Sequence, residues 1–211
     1  MKKSVTSLTK QQAAYQSLRR GIMSGTLKPG VRLVIDKIAL ELDISAIPVR
    51  EALGQLEKEG LVEIRPHSGS VVTDIPESAI EEIFALLEAL ETASCRLGIH
   101  KLTSSGLKKL SDISDRMAAA PDAETWLTLN REFHQTLPAL TGLTRLEELM
   151  IRVGEDWERL RRLRFADRKG EDHFLANEQH REFLQALEDK DIAWAEAIIQ
   201  KHNRNALAQY R

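Results

Sequence analysis

Apolar positions along this chain change their period at Asp74: before it, helical spacing alternates with short β-branched runs, and after it only helical spacing remains. Tyr15, Leu18, Ile22 and Met23 form a first amphipathic stripe behind the capping-box pattern Thr9-Lys-Gln-Gln12. Gly25 and Lys28-Pro29-Gly30 end that helix. After Val31-Arg-Leu-Val-Ile, a short helix carries Ile38, Ala39, Leu40 and Leu42, with Asp36 placed to cap it. Asp43-Ile44 then predicts a tight turn, and Ser45 is the expected cap of a further helix that closes at Gly60. Pro48 falls in its first turn, where backbone N–H groups have no helical acceptor to lose. Leu61 to Arg65 and Ser70 to Asp74 flank Pro66-His67-Ser68-Gly69, which predicts a hairpin. This order of elements is that of a winged helix-turn-helix, so DNA is the expected partner.

Asp74-Ile75-Pro76-Glu77 reads as a linker. Ser78-Ala79-Ile80-Glu81 is a second capping-box pattern, and Ile80, Ile83, Phe84, Leu87 and Leu90 repeat at helical spacing to about His100. Five more helices are expected: Ser104 to Ala119, Asp122 to Leu140 with Pro138 inside, Arg145 to Lys169 behind Thr144-Arg-Leu-Glu147, Phe174 to Glu188, and Ile192 to Gln209. Six helices with short connections make an antiparallel bundle. The predicted fold class is mainly α: a winged helix-turn-helix with a small β wing at residues 1–76, and an all-α six-helix bundle at 77–211.

With 211 residues and 42% hydrophobic content, the chain can bury a core but has no run long enough to cross a bilayer, so no membrane partner is expected. Met1-Lys-Lys-Ser opens as a signal peptide does, yet no apolar stretch follows, and a basic arm is the expectation. Cys95 has no cysteine to pair with, which fits core packing in a reducing cytoplasm. The net charge of −2 is divided unevenly. Residues 1–76 hold 11 Lys and Arg against 8 Asp and Glu, while the remainder holds 19 against 24, so the basic balance lies with the part expected to face phosphate.

Pro48-Val-Arg-Glu-Ala-Leu53, followed by Leu56-Glu-Lys-Glu-Gly-Leu-Val62, resembles the GntR family of bacterial transcription regulators. Asn130-Arg-Glu-Phe-His134, Glu178-Gln-His180 with Asp189-Lys-Asp191 and Ala195, and then His202 resemble the FCD ligand-binding domain of the FadR-like subfamily. That second resemblance implies one divalent metal per chain, Zn or Ni, on Asn130, His134, His180 and His202. Asn130 and His134 are four apart and so share a helix face. Imidazoles with an oxygen donor suit such borderline ions. Bare spacing also admits three unrelated, hydrogen-bonded histidines, because no HExxH or Cys-pair pattern marks a site. His67, His100 and His173 fall outside the pattern and are expected in the wing or on the surface.

Three positions depart from the family pattern: Ala46 where a recognition helix usually has Arg, Leu87 where an Arg commonly meets an anionic effector, and Asn130 where Asp is usual. The resemblance nonetheless implies a homodimeric, ligand-responsive repressor on a short inverted repeat of double-stranded DNA. With Leu87 in place of Arg, the metal is expected to hold a small carboxylate, helped by Arg96 or Arg152 unless these are solvated surface charges. Ser45, Ile47, Val49, Arg50 and Gln55 are expected in the major groove, and Arg32, Arg65, His67, Ser68 and Gly69 at the backbone or minor groove. Two other function classes compete, a metal-dependent hydrolase and a helical interaction module with structural histidines. Glu132, two positions from both Asn130 and His134, points away from their face, so no general base for hydrolysis is visible.

Overall fold

The computed structural model describes residues 8–65, 69–164 and 173–210. Pro66, His67, Ser68 and the basic start Met1-Lys-Lys-Ser lie outside the described residues. The chain divides into two compact units, the first comprising Met1–Pro76 with Arg161–Arg164 and the second beginning at Glu77.

In the first unit, α1 (Lys10–Met23) has both halves of its capping box: Gln12 N–H donates to Thr9 Oγ1 at 3.2 Å, and Thr9 N–H donates to Gln12 Oε1 at 3.0 Å. The helix-turn-helix pair is α2 (Ile35–Glu41) and α3 (Ala46–Lys58), joined through Asp43 at φ 52°. The two predicted caps fail here. Asp36 lies inside α2, whose cap position is Val34, and Ser45 occupies the cap position of α3 without a side-chain hydrogen bond. Strands β1 (Arg32–Leu33), β2 (Val62–Arg65) and β3 (Gly69–Val72) form an antiparallel sheet in the order β1-β3-β2. Arg65 pairs with Gly69, and Leu33 with Ser70. Leu18, Ile22, Leu33, Val49, Leu53, Leu56, Val62 and Val72 make its core.

Among its described residues the second unit has α-helices and no strand: α4 (Ile80–Gly98), α5 (Ser104–Ala118), α6 (Ala123–Leu140), α7 (Thr144–Arg164, whose last four residues fall in the first unit), α8 (His173–Glu188) and α9 (Ile192–Ala208). A 3-10 turn at Glu77–Ala79 leads into α4, so Ser78 provides no cap, and Thr144 is the first residue of α7. Asp122 and Asp191 do cap α6 and α9, accepting from Thr125 N–H at 2.7 Å and Trp194 N–H at 2.9 Å. α6 runs through Pro138 and ends two residues later. The core lies among α5, α6, α8 and α9, where Leu110, Ile113, Met117, Phe133 and Leu187 are almost wholly enclosed. Cys95 is packed within it, and burial, ahead of the charges of Glu91 and Glu196, pushes its thiol up to about 12.

Candidate functional site

The helices that enclose this core also bring together three imidazoles distant in sequence. His134 from α6, His180 from α8 and His202 from α9 each offer a ligand atom, and those atoms lie within 4.8 Å of one another. Nε2 of His134 and Nε2 of His180 are 3.3 Å apart. Two nitrogens bound to one ion at about 2.0–2.1 Å stand roughly 2.9–3.4 Å apart for right-angle to tetrahedral geometry, so the observed spacing suits a shared cation.

Two of the three remaining ring nitrogens have acceptors, whereas His180 Nδ1 is buried without a hydrogen-bond partner. His134 Nδ1 lies 2.5 Å from Glu91 Oε1, and His202 Nδ1 lies 3.1 Å from Gln179 Oε1. An acceptor at Nδ1 holds the proton there and leaves Nε2 with its lone pair, the arrangement that orients a ligating histidine. Asn130 Oδ1 is buried without a hydrogen-bond partner, and it lines the same cavity as His134, His202 and Glu91. A buried carbonyl oxygen without a donor is costly, and a cation would satisfy it. The donor set therefore fits a divalent ion of the Zn or Ni kind.

Glu91 is the residue that sequence reading missed. Its carboxylate accepts from Asn203 Nδ2 at 2.7 Å through Oε2 while Oε1 faces His134. Burial alone pushes this acid up, but the charges of His134 and His202 and the two hydrogen bonds outweigh it and hold the carboxyl below its ordinary value. The signal was present: Glu91 falls seven residues after Phe84, on the buried stripe of α4 rather than its wet face. His173 is a correction of another kind. It stacks on Trp126 with ring centroids 4.2 Å apart and lines the cavity, where a wing or surface position was expected. The two arginines expected beside an effector are elsewhere. Arg96 is ion-paired with Glu196 on the exposed side of α4, Arg152 is exposed on α7, and neither lines the cavity.

The residues expected at DNA divide by helical face. Ile47, Arg50, Glu51 and Gly54 form the outer stripe of α3, with Ile47 68% exposed and open space around Gly54. Ser45 is exposed at its start. Val49 is completely buried in the core, two positions from Ile47 on the opposite face, so it cannot read a base. Gln55 faces α1, its Oε1 accepting from Gln11 Nε2 at 3.3 Å. In the sheet, Arg32 lies over Gly69: a Cβ added there would meet Arg32 Nε at 3.4 Å, and φ of 79° also favours glycine. Arg65 pairs with Glu63 at 2.7 Å on the same strand. His67 and Ser68 lie outside the described residues.

Comparison with known proteins finds a family match for each part of the chain. Residues 10–72 match the bacterial regulatory proteins of the gntR family, and residues 82–205 match the FCD domain. The chain belongs to the GntR family. The Nta operon transcriptional regulator of Aminobacter aminovorans is 30% identical over 181 residues, covering 83% of this chain and 84% of that protein. A GntR transcriptional regulator from Rhodococcus sp. RHA1 has a TM-score of 0.73 at 25% identity, over 96% of this chain and 98% of that one. McbR from Escherichia coli shares the fold at a TM-score of 0.77 and 21% identity, over 96% and 97% of the two chains. This GntR protein is thus a transcription regulator with a DNA-binding domain and an FCD effector domain, rather than an enzyme.

Within the FCD domain His180 is buried and His202 half-buried, and their surroundings disfavour the protonated rings. Burial, then the charge of His134, pushes His202 down to about 4 against a small opposing pull from Glu91, and burial, with the other two histidines, pushes His180 well below its ordinary value. Both imidazoles are therefore neutral near pH 7, the form that ligates. A histidine harder to protonate folded than unfolded leaves the unfolded chain binding more protons, so stability present above about pH 6.5 is lost as pH falls toward 4. The urea midpoint of chelator-stripped protein should fall steadily from pH 6.5 to 4; a midpoint flat over that range would contradict the burial of these rings.

Proposed function

We propose that this GntR protein is a homodimeric, ligand-responsive repressor whose FCD domain holds one divalent ion, Zn or Ni, and receives a small carboxylate beside it. The observation that carries this reading is the convergence of His134, His180 and His202 on one point, next to a cavity and to the unsatisfied Asn130 Oδ1. An ion bound by these four residues supplies a Lewis-acidic centre with positions open to an anion. Glu91 compensates one positive charge through His134, and the neutral Asn130 compensates none, so one charge is left for an incoming carboxylate. Both oxygens of Glu91 are engaged, by His134 and Asn203, which fits a role in orientation rather than as a general base.

Residues 1–76 would supply the reading head, with Ser45 at the start of α3 and Ile47 and Arg50 on it in the major groove, and Arg32, Arg65 and Gly69 toward the backbone or minor groove. Two such heads related by a twofold axis suit a short inverted repeat. The protein would act in the cytoplasm, where the operator is.

The test is a panel of carboxylates titrated by calorimetry into metal-loaded and chelator-stripped protein, with operator binding measured at saturating ligand. Coupling of about 1–3 kcal/mol would change operator affinity roughly 5- to 150-fold. Equal carboxylate affinity with and without metal would refute sensing at the metal, and unchanged operator affinity at saturation would refute the coupling.

A further inference from the structure

The cavity beside the histidines, about 100 Å³ in volume, is chemically two-ended. One end is polar, with Asn130, His134, His202 and Glu91 on its wall. The other is aromatic. Phe84 and Trp157 meet edge to face with centroids 4.9 Å apart, Trp157 and Tyr210 meet at 4.6 Å, and Phe84 and Tyr210 lie at 6.3 Å. Phe84 and Tyr210 are buried.

The ends are separated along the helices. Phe84, Leu87 and Glu91 lie on one face of α4, and seven residues of helix span about 10 Å, so the aromatic end stands nearly two turns from the carboxylate that holds His134. On α9 and just past its end, His202 and Tyr210 are eight positions apart in the same sense. Leu87 lines the middle of the cavity, and Gly154 opens it from α7. Among the described residues that line it, Arg131 is the one Lys or Arg, and Glu158 pairs with it at 3.9 Å. A second negative charge on a ligand would thus find neutral amides such as Gln135 and Gln209 but no cation that is not already beside a carboxylate, an uncompensated burial that costs more than it returns.

We infer that the effector is a monocarboxylate with an apolar body, its head at the histidine cluster and its body along Leu87 against Phe84, Trp157 and Tyr210. This rests on the reading that the cluster receives a carboxylate, and it specifies the part of the ligand beyond the head group. Apolar surface removed from water then discriminates among acids sharing that head.

Calorimetry on the full-length, zinc-loaded protein with acetate, butanoate, hexanoate, 3-phenylpropanoate and succinate tests it. Affinity should rise roughly three- to fourfold per methylene, so that hexanoate exceeds acetate by about 100-fold or more, and 3-phenylpropanoate should match or exceed hexanoate. Succinate should bind more weakly than butanoate. Measurable binding that is flat with chain length, or tightest for succinate, overturns the apolar body while leaving the head-group reading intact; no binding by any of these acids overturns both. Position is tested separately. Gly154→Leu places its Cβ in open space except for Gln135 Nε2 at 3.7 Å, and should collapse the hexanoate-to-acetate ratio by filling the cavity. 6-Bromohexanoate should quench tryptophan emission in the wild type and much less in Trp157→Phe. A hexanoate ratio unmoved by Gly154→Leu, or quenching unmoved by Trp157→Phe, would place the body elsewhere and overturn the proposal.

Discussion

Alanine at His134, His180 and His202 together is expected to take the protein from one bound divalent ion per chain to none measurable by elemental analysis. The three side chains come from different helices and supply all the nitrogen donors, so Asn130 alone cannot retain an ion. The more discriminating variant is Glu91→Gln, which leaves every ligand in place. An amide presents one oxygen and one NH2 where the carboxylate presented two oxygens. One of its contacts therefore sets a donor against His134 Nδ1–H or against the Asn203 amide, and the compensating charge is lost as well. Partners of this kind typically contribute 10- to 100-fold to metal affinity, so Glu91→Gln should weaken zinc by about that factor at pH 7.5 with little change in far-UV circular dichroism. A triple histidine variant that kept its metal would displace the site, and Glu91→Gln with wild-type affinity would make Glu91 a packing residue.

Why Glu91 escaped sequence reading while the histidines did not is a matter of what periodicity encodes. Spacing assigns a residue to a face of its own helix, as it did for Asn130 and His134 and for the stripe Ile80, Ile83, Phe84, Leu87. It does not name the partner, and Glu91 meets residues 43 and 112 positions away. The His173–Trp126 stack was hidden in the same way, because it forms across α6 and α8. Cap patterns split by context. Thr9 does accept from the first turn of its helix as expected, whereas Ser78 is displaced by a 3-10 turn and Asp36 by a helix that starts one residue ahead of it. Val49 shows the limit most plainly. It was expected in the groove beside Arg50, yet one residue of helix turns a side chain by about 100°, enough to carry it from groove to core.

That rotation gives the second large effect. Arg50→Ala should abolish specific operator binding by this GntR protein, whereas Val49→Ala should destabilise its fold without touching recognition. Arg50 is exposed on the outer stripe of α3 beside Ile47, and Ala46 leaves that first turn without a second arginine to share the reading. A bidentate base contact contributes about 1–3 kcal/mol per half-site, so losing it in both heads of a dimer would cost roughly 30- to 2 × 10⁴-fold in operator affinity. On the proposed docking Arg32 and Arg65 would still face phosphate, so non-specific binding should persist with its steep salt dependence. Val49, completely enclosed among Leu53, Leu56 and Val62, should instead cost about 1–3 kcal/mol of folding stability when truncated, with operator affinity per folded molecule unchanged. Fluorescence anisotropy on an operator fragment at fixed salt, beside a urea melt of each variant, separates the two. If Arg50→Ala bound as tightly as wild type, or Val49→Ala lost affinity while fully folded, α3 would not present its Ile47–Arg50 face to DNA.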